Sequence, residues 1–519
     1  MNIRVFFLVI ICTGPMVGWP ARAQQPSVTL PQSGDVEALK HQMREMQAGL
    51  KQIQIQHQRE VSALRAEVES LRRVIDDLRK PVATGGEGVF PTTDESVAAP
   101  TAPHGTPSAA TATAAPSFPT TDAAVAAAPG ATTPAWLSGP ITIAGGGKTF
   151  LNLSFDGQFA GAASTDKHLD RLEVGDHDPQ QRGFNARNTE LALDGAVDPY
   201  FEGFANIVFK LDNDNETSVE VEEAFMQTTT LPWSLQAKGG QFFAPFGRLN
   251  PQHPHVWDFV DTPLVNGRLL GPDGLRGVGT QWSWLTPLPW YSQLALAVQN
   301  GSGGTGFSFR NQGDNGVFYN RITFDRALGG VDDLVFIPRL ESSFDLSSTQ
   351  TLLVGASGAF GPNDTGKRAR TEIYGADLFY RWKSAHAEGG WPFVKWQTEA
   401  LGRHFDADRG VDDQFPVRET FNDWGAYSQV VWGFYKGWAA GLRGDVLHME
   451  ASDYTDDPER QSRWRIAPDV TWYPTEFSKF RLQYNHDFLE ANHFMHGGNA
   501  DSVFLQFEFS LGAHGAHKF

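Results

Sequence analysis

The sequence contains 519 residues, with 42 basic and 60 acidic side chains, which gives a formal net charge of −18 at pH 7. This acidic balance excludes nucleic acid as a partner, because binding to a phosphate backbone depends on clustered Lys and Arg. The only cysteine, Cys12, lies inside an apolar N-terminal run, which excludes a disulfide framework and does not fit a lipoprotein cleavage box.

Residues 1–23 have the three parts of a secretory signal peptide. Arg4 supplies the positive charge, the apolar run Val5–Cys12 follows, and Ala21-Arg22-Ala23 is a small-x-small cleavage site. The apolar run is shorter than the roughly 18 residues that a membrane-spanning helix requires. We therefore expect export, with 24–34 as a disordered N-terminus of the mature chain.

Residues 35–80 are predicted to form an α-helical coiled coil. Apolar side chains recur in alternating steps of three and four residues, with one slip of phase near His57, where a stutter should locally unwind the supercoil. The seam consists of Val36, Leu39, Met43, Met46, Leu50, Ile53, Val61, Leu64, Val68, Leu71, Ile75 and Leu78. A single amphipathic surface helix is the alternative, but no water-side core is available for it to cover.

Residues 81–140 are predicted to be a disordered linker. They are rich in Pro, Ala and Thr and contain few large apolar side chains, so they cannot bury enough surface to fold.

From residue 141 to 519 the pattern changes to an all-β transmembrane barrel. Apolar and polar residues alternate in segments of about ten residues, as expected for tilted strands that cross a bilayer. In Arg463–Tyr473, for example, the charged side chains share one face and the tryptophans share the other. We predict about sixteen antiparallel strands, starting near residues 149, 183, 201, 219, 233, 274, 290, 334, 350, 370, 393, 421, 438, 464, 478 and 501.

The predicted connections between strands alternate in length. Those around residues 198, 231, 288, 347 and 474 are short, whereas 163–182, 244–273, 301–333 and 404–420 are long. Outer-membrane barrels have short periplasmic turns at one rim and long external loops at the other. The alternation therefore favours a barrel over a secreted β-sandwich.

Three stretches of the barrel region resemble the phosphate-selective porin O and P family: Glu190–Gly203, Val221–Phe225 and Gly240–Asn250. The resemblance implies a homotrimeric outer-membrane porin for passive diffusion of small hydrophilic solutes, including anions such as phosphate. It also implies that the third external loop, here Ala244–Asp273, folds inward and narrows the lumen. A coiled coil and linker before such a barrel is similar to porins with a periplasmic stalk.

Strand parity places a basic wall on the inner face of the late strands. The expected pore-lining residues are Arg381, Lys395, Arg403, Arg443, Arg463, Arg465 and Arg481, and the expected constriction-loop residues are Arg248, Asp258, Asp261, Arg268 and Asp273. Acidic loop residues facing a basic wall would set up a transverse field across the pore. Alternatively, inward Glu399, Asp445, Asp469 and Asp487 neutralise the same arginines.

Two histidine pairs, at positions 253 and 255 and at positions 493 and 496, fall in predicted external loops. Without a closed ligand set we expect solvated histidines, and no metal ion or cofactor. No pattern typical of an enzyme active site is present, so no enzymatic activity is expected.

The sequence thus predicts a porin in the outer membrane of a Gram-negative bacterium, in contact with lipid. Its stalk would lie in the periplasm and position the porin relative to the cell wall. Two alternatives are an energised receptor for metal or chelate, which would need a folded plug and about 22 strands, and a barrel-anchored structural tether.

Overall fold

The structure is a computed structural model that describes residues 141–146, 149–196, 198–212, 216–313, 316–408, 418–451, 457–491 and 496–512. The predicted signal peptide, coiled coil and linker lie outside the described residues. No helix among the described residues is both long and apolar enough to cross a bilayer.

The described chain is almost entirely antiparallel β-structure. In chain order its strands are β1 Ile141–Gly146, β2 Thr149–Ser164, β3 Gly183–Ala196, β4 Phe201–Leu211, β5 Thr217–Thr228, β6 Leu235–Phe243, β7 Arg276–Leu285, β8 Tyr291–Gln299, β9 Val317–Phe318, β10 Arg321–Ile322, β11 Val335–Ser347, β12 Gln350–Pro362, β13 Arg370–Glu388, β14 Trp391–Ala407, β15 Glu419–Tyr435, β16 Trp438–His448, β17 Arg463–Thr475, β18 Ser478–Leu489 and β19 Gly498–Leu511. Two short helices, α1 Leu169–Leu172 and α2 Leu264–Leu269, lie in connections.

Sixteen strands, β2–β8 and β11–β19, close into one barrel, which confirms the predicted fold class and strand number. Each strand pairs with its neighbours in sequence, β8 pairs with β11, and β19 pairs with β2 through Ser502↔Ser164 to Leu511↔Phe155. Strand β1 pairs with the start of β2, where Ile141 lies opposite Leu153. The barrel therefore leaves no long unpaired edge among its described strands.

Burial alternates along the strands as the sequence pattern predicts. In β17 the side chains of Arg463 and Arg465 are buried inside the barrel, and those of Trp464 and Ile466 are exposed outside it. Two tryptophans of neighbouring strands, Trp438 and Trp472, stack on the outer face with ring centroids 5.9 Å apart. The barrel thus has a polar interior and an apolar, aromatic exterior.

The connections alternate as expected. The turns 348–349, 389–390, 436–437 and 476–477 are short, whereas the loops at the opposite rim include 165–182, 300–334 and 449–462. The expected strand length of about ten residues is too short for β13–β15, which contain 17 to 19 residues. A strand can extend beyond the part of the barrel that lipid surrounds, because backbone hydrogen bonds between paired strands also form in water.

The loop 244–275, hereafter the constriction loop, folds into the barrel. Its helix α2 buries Leu264, Val265 and Leu269 completely and packs against β14–β16. Helix α2 lies very close to strand β15, since a Cβ atom at Gly425 would lie 2.8 Å from a methyl group of Val265. The loop is therefore packed as part of the core.

Candidate functional site: the lumen and its constriction loop

Backbone amides of the constriction loop are held by a carboxylate on β14. Glu399 Oε1 accepts hydrogen bonds from the backbone N–H groups of Arg248, at 3.1 Å, and Leu249, at 2.7 Å. It also accepts one from the Tyr427 hydroxyl at 2.8 Å. Because all three donors converge on one oxygen, Glu399 fixes the start of the loop against the wall.

Asp261 is the second attachment of the loop, and it is fully buried. Its Oδ2 atom lies 2.6 Å from Arg443 Nη2 and also pairs with Arg465, while Gln483 donates to Oδ1. Burial alone would raise the pKa of Asp261, but the charges of Arg443 and Arg465 outweigh it and lower the pKa to about 2. The carboxylate is therefore ionised at all physiological pH values.

Other members of the basic wall also contact the constriction loop. Lys395 pairs with Asp258, and Arg481 donates to the backbone carbonyl of Trp257 at 2.8 Å. Two of the loop carboxylates that were expected to face the basic wall across open space, Asp258 and Asp261, therefore contact it directly. Strand parity predicted which side chains point inward, but it carried no information about which wall the loop covers.

The remaining wall residues have different partners. Arg403 pairs with Asp423 at 2.5 Å, and Arg463 donates to the backbone carbonyl of Leu172, the last residue of α1, at 2.6 Å. Arg381 lies on β13 opposite Lys395 in the strand register. The basic wall thus holds two inward-folded segments, the constriction loop and loop 165–182.

The other expected constriction-loop residues lie in three separate places. The guanidinium of Arg248 lies over the Phe379 ring, 3.9 Å from its centroid. Arg268 pairs with Glu459 at 3.2 Å. Asp273 accepts from His177 at 3.1 Å and also pairs with Arg276, on the side of the barrel away from the basic wall.

Loop 165–182 is joined to the constriction loop by Asp178. Its Oδ1 accepts from the backbone N–H and hydroxyl of Thr262, at 2.9 and 3.0 Å, and its Oδ2 accepts from Gly175 N at 2.6 Å. Complete burial, with a further contribution from nearby Asp261, raises the pKa of Asp178 to about 6 despite these hydrogen bonds.

The wall opposite, formed by β3–β7, contains a β-bulge that the alternating sequence pattern does not predict. Asn206 pairs with Glu223 and Ile207 pairs with Val221, so Glu222 is an extra residue on β5. Both Glu222 and Glu223 are consequently buried on the lumen side. The two consecutive glutamates, Glu222 and Glu223, interrupt the alternation of the strand and are the feature of the sequence that could have indicated the bulge.

The expectation of solvated loop histidines is wrong for His253 and His255, which are 0% and 5% exposed. The constriction loop carries them into the barrel, where His253 Nδ1 lies 2.7 Å from Glu222 Oε2 and His255 Nδ1 lies 3.0 Å from Glu190 Oε2. Burial would lower the pKa of His253, but these carboxylates outweigh it and raise the pKa well above its ordinary value. Of the second pair, His493 lies outside the described residues.

Cavities follow the β3–β7 wall. One of about 860 Å³ opens among the long loops beside Asp176, Lys210 and Glu220, and a small one of about 40 Å³ lies beside His177 and Glu222. A third, of about 280 Å³, reaches the short-turn rim and is lined by Asp194, Glu202, Glu223 and Lys238. The first two share Asp273, and the last two share Phe243, so they form a row along one side of the lumen.

No family model matches the chain. Among solved structures, the chain is similar to the outer membrane channel DcaP of Acinetobacter baumannii, with 11% identity, coverage of 70% of this chain and 97% of that one, and a TM-score of 0.46. It is also similar to an anion-selective porin from Comamonas acidovorans, with 9% identity, coverage of 70% and 100%, and a TM-score of 0.43.

A sequence relative is found in Aquifex aeolicus (strain VF5), in a protein described only as uncharacterized. The two are 31% identical over 399 residues, which cover 71% of this chain and 79% of the relative. An identity of this size over most of both chains identifies relatives, and the chain belongs to the same family as this Aquifex aeolicus protein.

Proposed function

We propose that the protein is an outer-membrane channel for passive diffusion of small hydrophilic solutes. The observation that carries this proposal is a closed sixteen-stranded barrel with a row of polar cavities along one inner wall. A barrel of this size leaves room for an aqueous path, because its interior is wider than packed side chains alone can fill. The proposal includes no catalytic step.

Residence in a membrane is supported by the outer face. Large apolar side chains that face outward would be unfavourable in water, and closed barrels satisfy every backbone polar group in lipid. Trp282, Leu296, Trp432, Leu442, Leu482 and Leu505 are each more than 40% exposed on this face. With the predicted signal peptide, this supports the outer membrane of a Gram-negative bacterium.

Planar-bilayer recording of the purified full-length protein tests the proposal. We expect discrete, ohmic conductance steps, and liposomes containing the protein should swell in isotonic solutions of small sugars. An absence of both, with protein shown to be inserted by protease protection, would reject the channel function.

The ion preference of the channel distinguishes an anion-selective from a cation-selective form of the proposal. The resemblance to phosphate-selective porins supports anion selectivity, whereas the cavities are lined by more carboxylates than cations, which favours cations. Many basic wall residues are also neutralised by loop carboxylates. We therefore expect the reversal potential in a potassium chloride gradient to show that the channel prefers cations. A reversal potential that shows anion preference would instead support phosphate and related anions as solutes.

The proposal extends to a homotrimer with a periplasmic stalk that positions it relative to the cell wall. It rests on the heptad pattern between Val36 and Leu78. A peptide of residues 24–80 should self-associate in sedimentation equilibrium, and changing Leu50, Leu64 and Leu71 to Asp should dissociate it. The same triple substitution should leave channel conductance unchanged, and a peptide that is monomeric from the start would contradict the stalk.

A further inference from the structure

Carboxylate and imidazole side chains from three elements meet where the constriction loop crosses the β3–β7 wall. Glu190 is on β3, Glu222 is on β5, and His253 and His255 are on the constriction loop. All four are buried. The ligand atoms of Glu190, Glu222 and His253 lie within 4.8 Å of one another.

The spacing of these atoms is that of a shared coordination sphere. His253 Nδ1 is 2.7 Å from Glu222 Oε2 and 3.4 Å from Glu190 Oε2. His255 Nδ1 is 3.0 Å from the same Glu190 oxygen. Ligands at about 2.0–2.2 Å from Zn²⁺ have neighbouring donor atoms roughly 2.8–3.6 Å apart, so little movement is needed to enclose an ion.

A fully buried amide on β4 supplies an independent observation. Asn206 Nδ2 lies 3.1 Å from Glu190 Oε2, 2.9 Å from Glu222 Oε2 and 2.8 Å from His253 Nδ1. An amide nitrogen has two protons for these three neighbours, and His253 Nδ1 accepts one only when that nitrogen carries no proton, while Asn206 Oδ1 accepts no hydrogen bond from any described residue. Because the two ends of an amide are interchangeable in shape, a rotated Asn206 would direct its oxygen at the point where the acceptors converge.

Glu223 orients the central histidine. Its Oε2 lies 2.9 Å from His253 Nε2, and its Oε1 accepts from the backbone N–H of Phe243 at 3.1 Å. A carboxylate that accepts from one imidazole nitrogen leaves the other nitrogen available as a ligand, as in carboxylate–histidine–zinc triads. His253 Nδ1 is thereby directed at Glu222 and Glu190.

We propose that Glu190, Glu222, His253 and His255, with the amide oxygen of Asn206, bind a divalent transition-metal ion of the Zn²⁺ class that ties the constriction loop to the barrel wall. Mixed imidazole and carboxylate ligands suit this class of ion, whereas Mg²⁺ and Ca²⁺ prefer oxygen ligands alone. Metal binding would release any proton that the imidazoles carry, and two carboxylates with the resulting neutral imidazoles balance a double positive charge, which meets the requirement that buried charges be paired or coordinate a metal.

The inference goes beyond channel function and is tested without it. Full-length protein in detergent, stripped with a chelator, is titrated with Zn²⁺ by calorimetry and with Co²⁺ by visible absorption, with Mg²⁺ as the negative control. We expect one Zn²⁺ per chain and at least 100-fold weaker binding in His253→Asn and Glu190→Gln. His448→Asn, which changes an exposed histidine on β16, should bind as the wild type does.

Two further variants distinguish a metal site from a hydrogen-bond network. Glu223→Gln removes only the orienting carboxylate and should weaken Zn²⁺ binding about 10- to 100-fold. Asn206→Asp adds a ligand charge and should tighten binding at least tenfold, although it removes the amide protons that the hydrogen-bond network uses.

The proposal is overturned if no Zn²⁺ binds, or if Mg²⁺ binds equally well. It is also overturned if His253→Asn and Asn206→Asp bind with wild-type affinity. Loss of binding in His177→Asn but not in His253→Asn would assign the ion to the neighbouring Asp176, His177 and Asp273 group instead. If His253→Asn does not fold, judged by its migration in unheated gels, the folded Glu223→Gln and Asn206→Asp proteins decide.

Discussion

At the scale of single residues, buried carboxylates of the loops determine how the lumen is filled. Asp261 is the clearest case, because two arginines of the basic wall share its oxygen. A buried ion pair contributes little compared with apolar packing, but removing one partner leaves the other charge uncompensated. We therefore expect that removing a single buried carboxylate, such as Asp261, destabilises the packing of the constriction loop.

Replacing Asp261 with Ala should release this part of the constriction loop. Arg443 would retain Asp445, and Arg465 would retain Glu173 and Asp487, so the cost should be below the roughly 3–5 kcal/mol of a buried pair whose remaining charge has no partner. Hydrogen exchange of residues 258–266 should accelerate strongly. Asp258→Ala serves as the control, because Asp258 has one ionic partner and is partly exposed, and its effect should be clearly smaller; equal effects would contradict the central role of Asp261.

Acid should tighten the contact between loop 165–182 and the constriction loop. Asp178 has a folded pKa of about 6, above its unfolded value of about 3.9. A raised folded pKa gives stability that is complete below the unfolded pKa and lost as the pH rises through the folded one. Two pKa units correspond to about 3 kcal/mol, so amide exchange at Gly175 and Thr262, corrected for its intrinsic pH dependence, should reveal more protection at pH 4.5 than at pH 7.5. Unchanged or opposite protection would contradict this assignment.

At the scale of elements, the strands were predictable and the inward loops were not. Alternation of charge and tryptophan in β17 was sufficient to assign its two faces, because a strand has a period of two residues. The position of α2 depends instead on long-range packing against β14–β16, which no local pattern encodes. The bulge at Glu222 breaks the period and brings both glutamates inside, so parity alone fails at the candidate site.

Gly425 should be essential for seating α2. A Cβ atom there would lie 2.7 Å from the carbonyl oxygen of Val446 on β16 and 2.8 Å from a methyl group of Val265 on α2, so Gly425→Val should displace the helix and increase exchange of its amides. Gly444 is the matched control, because a Cβ atom at that position has no neighbour within 4 Å. If the amides of α2 exchange equally slowly in the Gly425→Val and Gly444→Val proteins, the packing of the constriction loop does not depend on this contact.

The last strand should be sensitive to charge on its outer face. Strand β19 ends at Leu511, and Phe507 packs on Phe480 with ring centroids 4.7 Å apart. Phe507→Asp with Phe509→Asp should prevent assembly, since charge near mid-bilayer costs up to about 2–4 kcal/mol per site, somewhat less for acidic residues. Deletion of 512–519 should leave assembly intact, so that the protein keeps the migration of a folded barrel in unheated gels, and loss of that migration would show that the tail is needed.

At the scale of the whole molecule, barrel closure could be predicted from the sequence, but the path through the barrel could not. Sixteen alternating segments with short and long connections specify a closed sheet. Which side of the lumen remains open depends on where the constriction loop packs, and it packs on the basic wall through Asp258 and Asp261. The cavities consequently lie along β3–β7, beside Glu222 and Asp194.

The reaction of introduced cysteines with a thiol reagent, measured as a change in conductance, tests this path most directly. The chain suits the experiment, because its only cysteine, Cys12, lies in the predicted signal peptide. Single Asp194→Cys and Thr471→Cys proteins are recorded in planar bilayers before and after addition of a bulky thiol reagent. Asp194 lines a cavity of the β3–β7 wall, whereas Thr471 is buried on the wall that the constriction loop covers. We predict that the reagent reduces conductance of Asp194→Cys and leaves Thr471→Cys unchanged; block at Thr471→Cys alone, or no conductance in either protein, would contradict the proposed channel.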